Sequence, residues 1–502
     1  MTKQSNIVFR ISAAIVIFAA LWGLLAHSSF ELMATTLMSG LKEHFSWLYL
    51  FATLFFVIFL FVLAFTGWGS IRLGKDSDRP EHSTFSWFAM LFGTGMGIGL
   101  VFWGVSEPLS HYISPMAGIA PRSEEAARFA IRSCFMHWGL HPWAIYSVMG
   151  LGLGYFMYRK DETAMASNLL RPLFKESRAS SAAGTCIDVY TAVLTAVGVA
   201  TSFGMGCIQI GEGLNYVFGI PNTVWTWLAM ILVIGFVYIW TAISGVDKGI
   251  RIVSDINLYL FLGMMLLAFC VGPKADILLS GLRGVADYVR SFISDSVRTG
   301  TGSETEWIRN WRVYYWAWWL SWSPFVGIFL ARISKGRTIR EFIFGVLLIP
   351  STVSGLWFSV MSGMAFHVVD RFSAEELASM VAAPETALFR IFAEYPCGLV
   401  LSLTALVLLF TFFLTSANSA TFVMSMITSD GALDPPANKK VFWGVLIGAV
   451  AFVLIMSGNI SLTQTVSIVI AFPYEFILLM ICVSLFLSLK REQRQNRQLQ
   501  NR

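Results

Sequence analysis

The stretch from Trp311 to Trp322 reads WRVYYWAWWLSW, and seven of its twelve residues are Trp or Tyr. On a 3.6-residue period, Trp311, Tyr315, Trp318, Trp319 and Trp322 fall on one broad face. Aromatic faces attract cations through the ring quadrupole, each contributing roughly 0.5 to 2 kcal/mol in a desolvated site. That suits a quaternary ammonium, which has no N–H to donate and which a carboxylate attracts without orienting. The same face could be an interfacial belt, the ordinary reason for Trp near a bilayer. A second aromatic run, His137-Trp138-Gly139-Leu140-His141-Pro142-Trp143-Ala144-Ile145-Tyr146, adds walls to such a pocket. Pro142 removes a backbone hydrogen bond and predicts a bend that changes how Trp138 and Trp143 face one another.

The anionic end of a zwitterion needs hydrogen-bond donors. Gly93-Thr94-Gly95-Met96-Gly97-Ile98-Gly99 places four glycines in seven residues. Such a run permits close helix packing. It also permits a broken helix, with glycine allowing a carboxylate to approach the freed N–H groups. Ser323-Pro324-Phe325-Val326-Gly327 follows the aromatic stretch and predicts a matching interruption.

The elements that must position these residues are membrane spans. A chain of 502 residues that is 56% hydrophobic and 13% charged, with mean hydropathy +0.67, does not read as soluble domains. Apolar runs of about twenty residues mark a polytopic helical membrane protein. Twelve spans are expected, at 9–27, 47–70, 85–107, 135–158, 184–218, 224–245, 250–272, 307–333, 340–366, 396–427, 440–457 and 461–489. The basic short loops around Arg159-Lys160 and Arg332–Arg337 set the orientation, with both termini cytoplasmic. The first run lacks an A-x-A-like cleavage site and is expected to be a retained span.

Residues 1–84 supply two leading spans, 85–272 a first block of five, and 307–489 a second block of five. An odd number of spans per block inverts the second block relative to the first, and breaks at matching positions point to a transporter's central site. Between the blocks, 273–306 reads as an external amphipathic helix, and 370–395 as a second external segment with helix around EELASMVA. The tail from 490 to 502 is short and basic enough to rest on anionic lipid.

Other chemistries find less support. The six cysteines have no CxxC spacing and read as free thiols, and the net charge of +5 belongs to loops, so no nucleic acid is implied. Neither a nucleophile–base pair nor a metal cluster typical of an enzyme is visible. His137 and His141 have the i, i+4 spacing of a metal pair, but with no third ligand nearby they read as pore-lining or structural. Glu107, Asp188, Glu212, Asp255 and Glu475 lie in or near apolar runs, where acids often mark function and could carry protons. Most are expected near span ends, within reach of water.

The segments GTGMGIGLVFWGVSEPLSHY, HWGLHPWAIY and WRVYYWAWWLSWSPFVGIFLARISKGRTIREF closely resemble the betaine/choline/carnitine transporter family, over about residues 45 to 485. The resemblance implies an all-α, LeuT-type inverted repeat of five plus five helices in the cell inner membrane, assembled as a homotrimer. It implies an aromatic box of Trp138, Trp143, Tyr146 and Trp319, with Trp316, Trp318 and Trp322 lining the site or its path and Gly95, Gly97 and Gly99 near the substrate. It further implies a sodium site built from carbonyls of Gly93, Met96 and Phe412 and hydroxyls of Thr415 and Ser416. A second sodium site would use Thr195, although Val199 stands where another hydroxyl is expected. Sodium-independent carnitine exchange goes with an arginine where this chain has Asn257, and choline preference with an acid where it has Gly99. The expected activity is therefore sodium-coupled import of a quaternary-ammonium zwitterion, foremost glycine betaine, with no cofactor other than the coupling ion. The alternatives are carnitine/gamma-butyrobetaine exchange, or uptake of choline or dimethylsulfoniopropionate. Short tails imply weak or absent osmotic regulation.

Overall fold

The computed structural model describes residues 3–95, 97–174, 182–244, 247–456 and 461–500. Among these, α-helix dominates and the isolated antiparallel bridge Arg72–Thr338 is the one β-type pairing. Two long leading helices, α1 (Lys3–Leu25) and α2 (His27–Phe65), precede α3 (Thr84–Gly95), α4 (Ile98–Ile113), α5 (Glu124–Trp138), α6 (Leu140–Arg159) and the single turn α7 (Ala166–Leu169). Then come α8 (Ala182–Phe218), α9 (Val224–Ser244), α10 (Asp247–Val271) and α11 (Lys274–Val297). After the short α12 (Ser303–Ile308) follow α13 (Tyr314–Ile333), α14 (Ile339–Val368), α15 (Ala374–Ala382), α16 (Pro384–Ala393), α17 (Gly398–Ile427), α18 (Ala437–Ile455) and α19 (Ser461–Gln500).

Eight of these helices are long and apolar enough to cross a bilayer, or nine if the pair formed by α10 and α11, bent by 115°, counts as one span. The chain is thus an all-α polytopic membrane protein. The sharp bend separates α11 from α10 where the sequence separates span from external helix. Three expected spans fall outside the apolar set: 85–107, 135–158 and 307–333. They are helical, but each spends its composition on Gly, His, Trp or a carboxylate rather than on aliphatic side chains.

The first break lies where the glycines predict it. Gly97, with φ −116° and ψ −142°, interrupts the helix between α3 and α4. The second break, in expected span 135–158, is not made by Pro142. It falls at Gly139, with φ −97° and ψ −131°, and Pro142 sits in the first turn of α6, where its missing N–H is an orphan in any case. A side chain at Gly139 would collide with the carbonyl of Phe135 and approach the Tyr288 hydroxyl at 3.1 Å. That hydroxyl accepts from the N–H of Leu140 at 3.3 Å, so α11 caps the N-terminus of α6.

The third expected interruption does not occur. α13 runs unbroken through Pro324. Proline withholds the N–H that would bond the carbonyl of Leu320 four residues earlier, but Ser323 Oγ donates to that carbonyl at 2.7 Å. Ser321 Oγ likewise donates to the carbonyl of Trp318 at 2.6 Å. Hydroxyls thus satisfy the backbone that proline would leave bare. The irregularity of this span lies earlier, in a π-helical turn over Arg309–Val313.

The loop between α13 and α14 is tied to the chain before α3. Leu73 N–H donates to Arg337 O and Gly336 N–H to Leu73 O, both at 2.8 Å, and the Arg337 guanidinium lies 4.0 Å from the Trp87 ring centre. The basic residues of this loop therefore meet the segment around residues 71–87. The tail's carboxylate, Glu492, instead pairs with Arg159 at 2.5 Å and Lys160 at 2.8 Å.

Candidate functional site

The aromatic residues converge between the two breaks. α13 packs most extensively on α6, which brings its Trp-rich face against the end of α5. Trp318 and Trp319 stack with centroids 4.9 Å apart and planes 20° apart. Trp138 stands edge-on to both, 6.1 Å from Trp318 and 4.9 Å from Trp319. Tyr146 is edge-on to Trp319 at 5.9 Å and to Trp143 at 5.6 Å. All five are buried.

Four indole N–H groups, those of Trp138, Trp318, Trp319 and Trp322, are used to aim their rings. Trp319 donates to the carbonyl of His137 at 2.9 Å, near the end of α5 where carbonyls lose their helical partners. Trp318 donates to Ser202 Oγ of α8 at 3.1 Å, and Trp322 to the carbonyl of Gly198 at 2.9 Å. Trp138 donates to Oε2 of Glu107 at 2.7 Å. The hydroxyl of Tyr146 is the exception, buried without a hydrogen-bond partner.

Glu107 organises this arrangement and is fully buried, contrary to the expectation of a wet span end. Its Oε2 also accepts from the Tyr315 hydroxyl, and its Oε1 lies 2.7 Å from His137 Nδ1. Its oxygens are therefore committed to Trp138, Tyr315 and His137. The signal was present in sequence: an acid eight residues after Gly99, on a helix beginning at a break, is well placed to hold a neighbouring helix. Asp188 and Glu475 are also buried, while Glu212 is half-buried and Asp255 exposed. Asp188 accepts from the N–H and hydroxyl of Ser167 at 3.0 and 2.7 Å.

A small cavity separates the walls. Its lining includes Gly97, Gly99, Trp138, Trp318, Trp319 and Trp322, with Ser202 and Ser416 supplying hydroxyls. Among the described residues, no carboxylate lines it. Its volume is about 20 Å³, little more than the roughly 10 to 15 Å³ that holds one water, so admitting a whole quaternary-ammonium substrate requires Trp138 to part from Trp318 and Trp319. Gly99 sets how near these rings come: a Cβ there would meet Trp318 Cη2 at 2.7 Å and Trp138 Cη2 at 3.2 Å.

Other expected residues lie elsewhere. Trp143 and Tyr146 stand behind Trp319 and outside this lining. Trp316 faces away from it, stacked on His141 at 5.0 Å. Gly93 and Gly95 belong to the last turn of α3, and Met96 lies outside the described residues. Ser416 is across from Gly97, 3.6 Å from where a Cβ would be. Thr415 donates to its own helix, to Thr411 O at 3.0 Å and Phe412 O at 3.2 Å, and Thr195 to Thr191 O at 2.7 Å. Val199 and Asn257 are buried, the latter with its Oδ1 unpaired. Sequence reasoning placed Tyr315 on the aromatic face but missed its bond to Glu107, as it missed Ser202 and the role of Glu107.

Comparison with known proteins bears on the same residues. A family model described as betaine/carnitine/choline family transporter matches residues 7–494. The chain is 40% identical over 499 residues to the glycine betaine transporter OpuD of Bacillus subtilis, covering 99% of this chain and 96% of that one. It is 36% identical over 482 residues to an ectoine/hydroxyectoine transporter of Virgibacillus pantothenticus, covering 96% and 95%. It is also 36% identical over 477 residues to a glycine betaine transporter of Acinetobacter baylyi, covering 95% and 72%.

Proposed function

Since the chain belongs to the betaine/carnitine/choline transporter family, we propose that it imports glycine betaine by sodium symport with alternating access. One observation carries the choice of a zwitterion over a net cation: the cavity is walled by indoles and glycine backbone, and among the described residues no carboxylate faces it. A trimethylammonium group would sit against Trp138, Trp318 and Trp319, gaining roughly 0.5 to 2 kcal/mol from each desolvated face. The substrate carboxylate would meet the N–H groups exposed at the start of α4, where Gly97 and Gly99 leave room. Tyr146, with a hydroxyl free to donate, is the remaining polar group beside the box.

Sodium would bind beside the α3–α4 break, through Ser416 and Thr415 with carbonyls of Gly93, Met96 and Phe412; Thr195 would belong to a second site. The proposal includes the twelve-span, five-plus-five inverted repeat with 85–272 and 307–489 as its halves, the linker helix at 273–306, a homotrimer, and both termini on the cytoplasmic face of the inner membrane. Inward sodium movement would supply the work, the membrane potential adding roughly 2.3 kcal/mol per net charge per 100 mV.

The test is uptake of labelled glycine betaine into proteoliposomes with and without an inward sodium gradient. Accumulation that needs the gradient supports symport. Gradient-independent exchange against internal carnitine would overturn it. Running choline, carnitine, ectoine and dimethylsulfoniopropionate as competitors assigns the preferred substrate.

A further inference from the structure

Beneath the aromatic box lies a cluster that is absent from the lining of the betaine cavity. Glu107 and His111 sit one turn apart on α4, and His137 projects from α5 against both. One ligand atom from each of the three lies within 4.8 Å of the others, and all three side chains are fully buried. Oε1 of Glu107 is 2.7 Å from His137 Nδ1 and 3.4 Å from His111 Nε2. The second contact is at ion-pair distance and too poorly aligned for a hydrogen bond, so His111 makes no hydrogen bond at either ring nitrogen and meets the carboxylate only across 3.4 Å. A buried imidazole without a hydrogen bond is expensive, and this one is held in place by Trp307 and Trp311, with ring centres 5.0 and 4.4 Å away.

We propose that Glu107, His111 and His137 form a binding site for a late first-row divalent cation of the zinc type, and that its occupancy arrests transport. Two imidazoles and a carboxylate are the donor set such ions take, and tetrahedral ligands at zinc distances are roughly 3.4 Å apart. The His111–Glu107 separation already matches, and His137 needs a shift of under about 1 Å. The arrest follows from the other side of the same carboxylate: Oε2 holds the indole of Trp138 and the hydroxyl of Tyr315. A cation on Oε1 would pin α4 to α5 and so fix the ring that must move for substrate to enter. Loading requires Trp307 and Trp311 to part, so inhibition would develop slowly.

The arrest rests on the transport reading; the binding does not, and the two are measured separately. Tag-free, chelator-stripped full-length protein in detergent is titrated with Zn²⁺ by calorimetry, with metal content checked after desalting and coordination read from the X-ray absorption edge. One zinc per chain with imidazole ligands is expected in the wild type, and His111→Gln should weaken binding by more than about tenfold. His367→Gln, at the exposed pair with Asp276, should leave it unchanged. Size-exclusion and melting profiles of His111→Gln verify that it is folded. No retained zinc in the wild type, or equal affinity in His111→Gln, overturns the site. If zinc binds through these residues but pre-incubation leaves betaine uptake intact, the arrest is overturned and the site stands.

Discussion

Trp319 donates its indole N–H to the carbonyl of His137 across 2.9 Å, fastening the Trp-rich helix to the last turn of α5 two residues before the break at Gly139. One ring thus serves as a wall for a cation and as a tie between the two helices that carry the site. Trp319→Phe keeps an aromatic face and loses the tie, whereas Trp319→Ala loses both. We expect KM for glycine betaine to rise by about 30-fold in the alanine variant, roughly 2 kcal/mol, and by less in the phenylalanine variant. Initial rates of labelled betaine uptake check the order.

Tyr146 gives a cleaner separation of binding from folding. Its hydroxyl is buried and unpaired, so Tyr146→Phe removes a group whose desolvation is uncompensated. The melting temperature should hold or rise. KM for glycine betaine should rise by about fivefold if the hydroxyl donates to substrate, as one neutral hydrogen bond of roughly 1 kcal/mol implies. An unchanged KM removes Tyr146 from the site.

Gly99 limits the space between Trp138 and Trp318. In Gly99→Ala the added Cβ lies 2.7 Å from Trp318 Cη2, overpacking that costs about 1 to 3 kcal/mol. Betaine affinity should fall by about 5- to 100-fold on that scale. Gly99→Asp places a carboxylate beside the rings and should make choline a better competitor against betaine uptake; competition curves for the two variants decide it.

Ser323 and Pro324 form a coupled pair in α13. Ser323→Ala exposes the Leu320 carbonyl that Pro324 leaves unbonded, and should destabilise the protein by about 0.6 to 1.7 kcal/mol. In a Pro324→Ala background the N–H returns, and the same serine change should cost little. A double-mutant cycle by thermal melting in detergent measures the coupling.

Much of this was legible in the chain. Apolar runs located eight helices, and the glycines of 93–99 located a genuine break at Gly97. Trp138, Trp318 and Trp319 were readable because their spacing leaves them on facing surfaces. What failed had local physical causes. Pro324 has the same breaking power as any proline, but the serine before it repairs the damage. Pro142 sits beside a glycine that takes the bend instead, because only Gly139 can lie against the Phe135 carbonyl. Trp316 shares the aromatic composition of its neighbours yet points to His141, because the 3.6-residue period of α13 puts it off the face that Tyr315, Trp318, Trp319 and Trp322 share. Glu107 was misjudged because burial depends on which helices surround it, and a linear count of residues from a span end carries no such information.

The three site-bearing spans that fall short of the apolar set have a consequence for biogenesis. A segment leaves the translocation channel for lipid when its own transfer energy is favourable, and charged or strongly polar side chains near its centre oppose that step. α4 carries Glu107 and His111, and α5 and α6 carry His137 and His141. None of them gains from facing lipid alone. They must be received by other helices of the chain, with α2 lying against α6 and α14 against α4, α5 and α6. As α14 is made after them, these segments must wait for later parts of the chain. The order of synthesis and the order of burial therefore differ for the residues on which substrate recognition would depend.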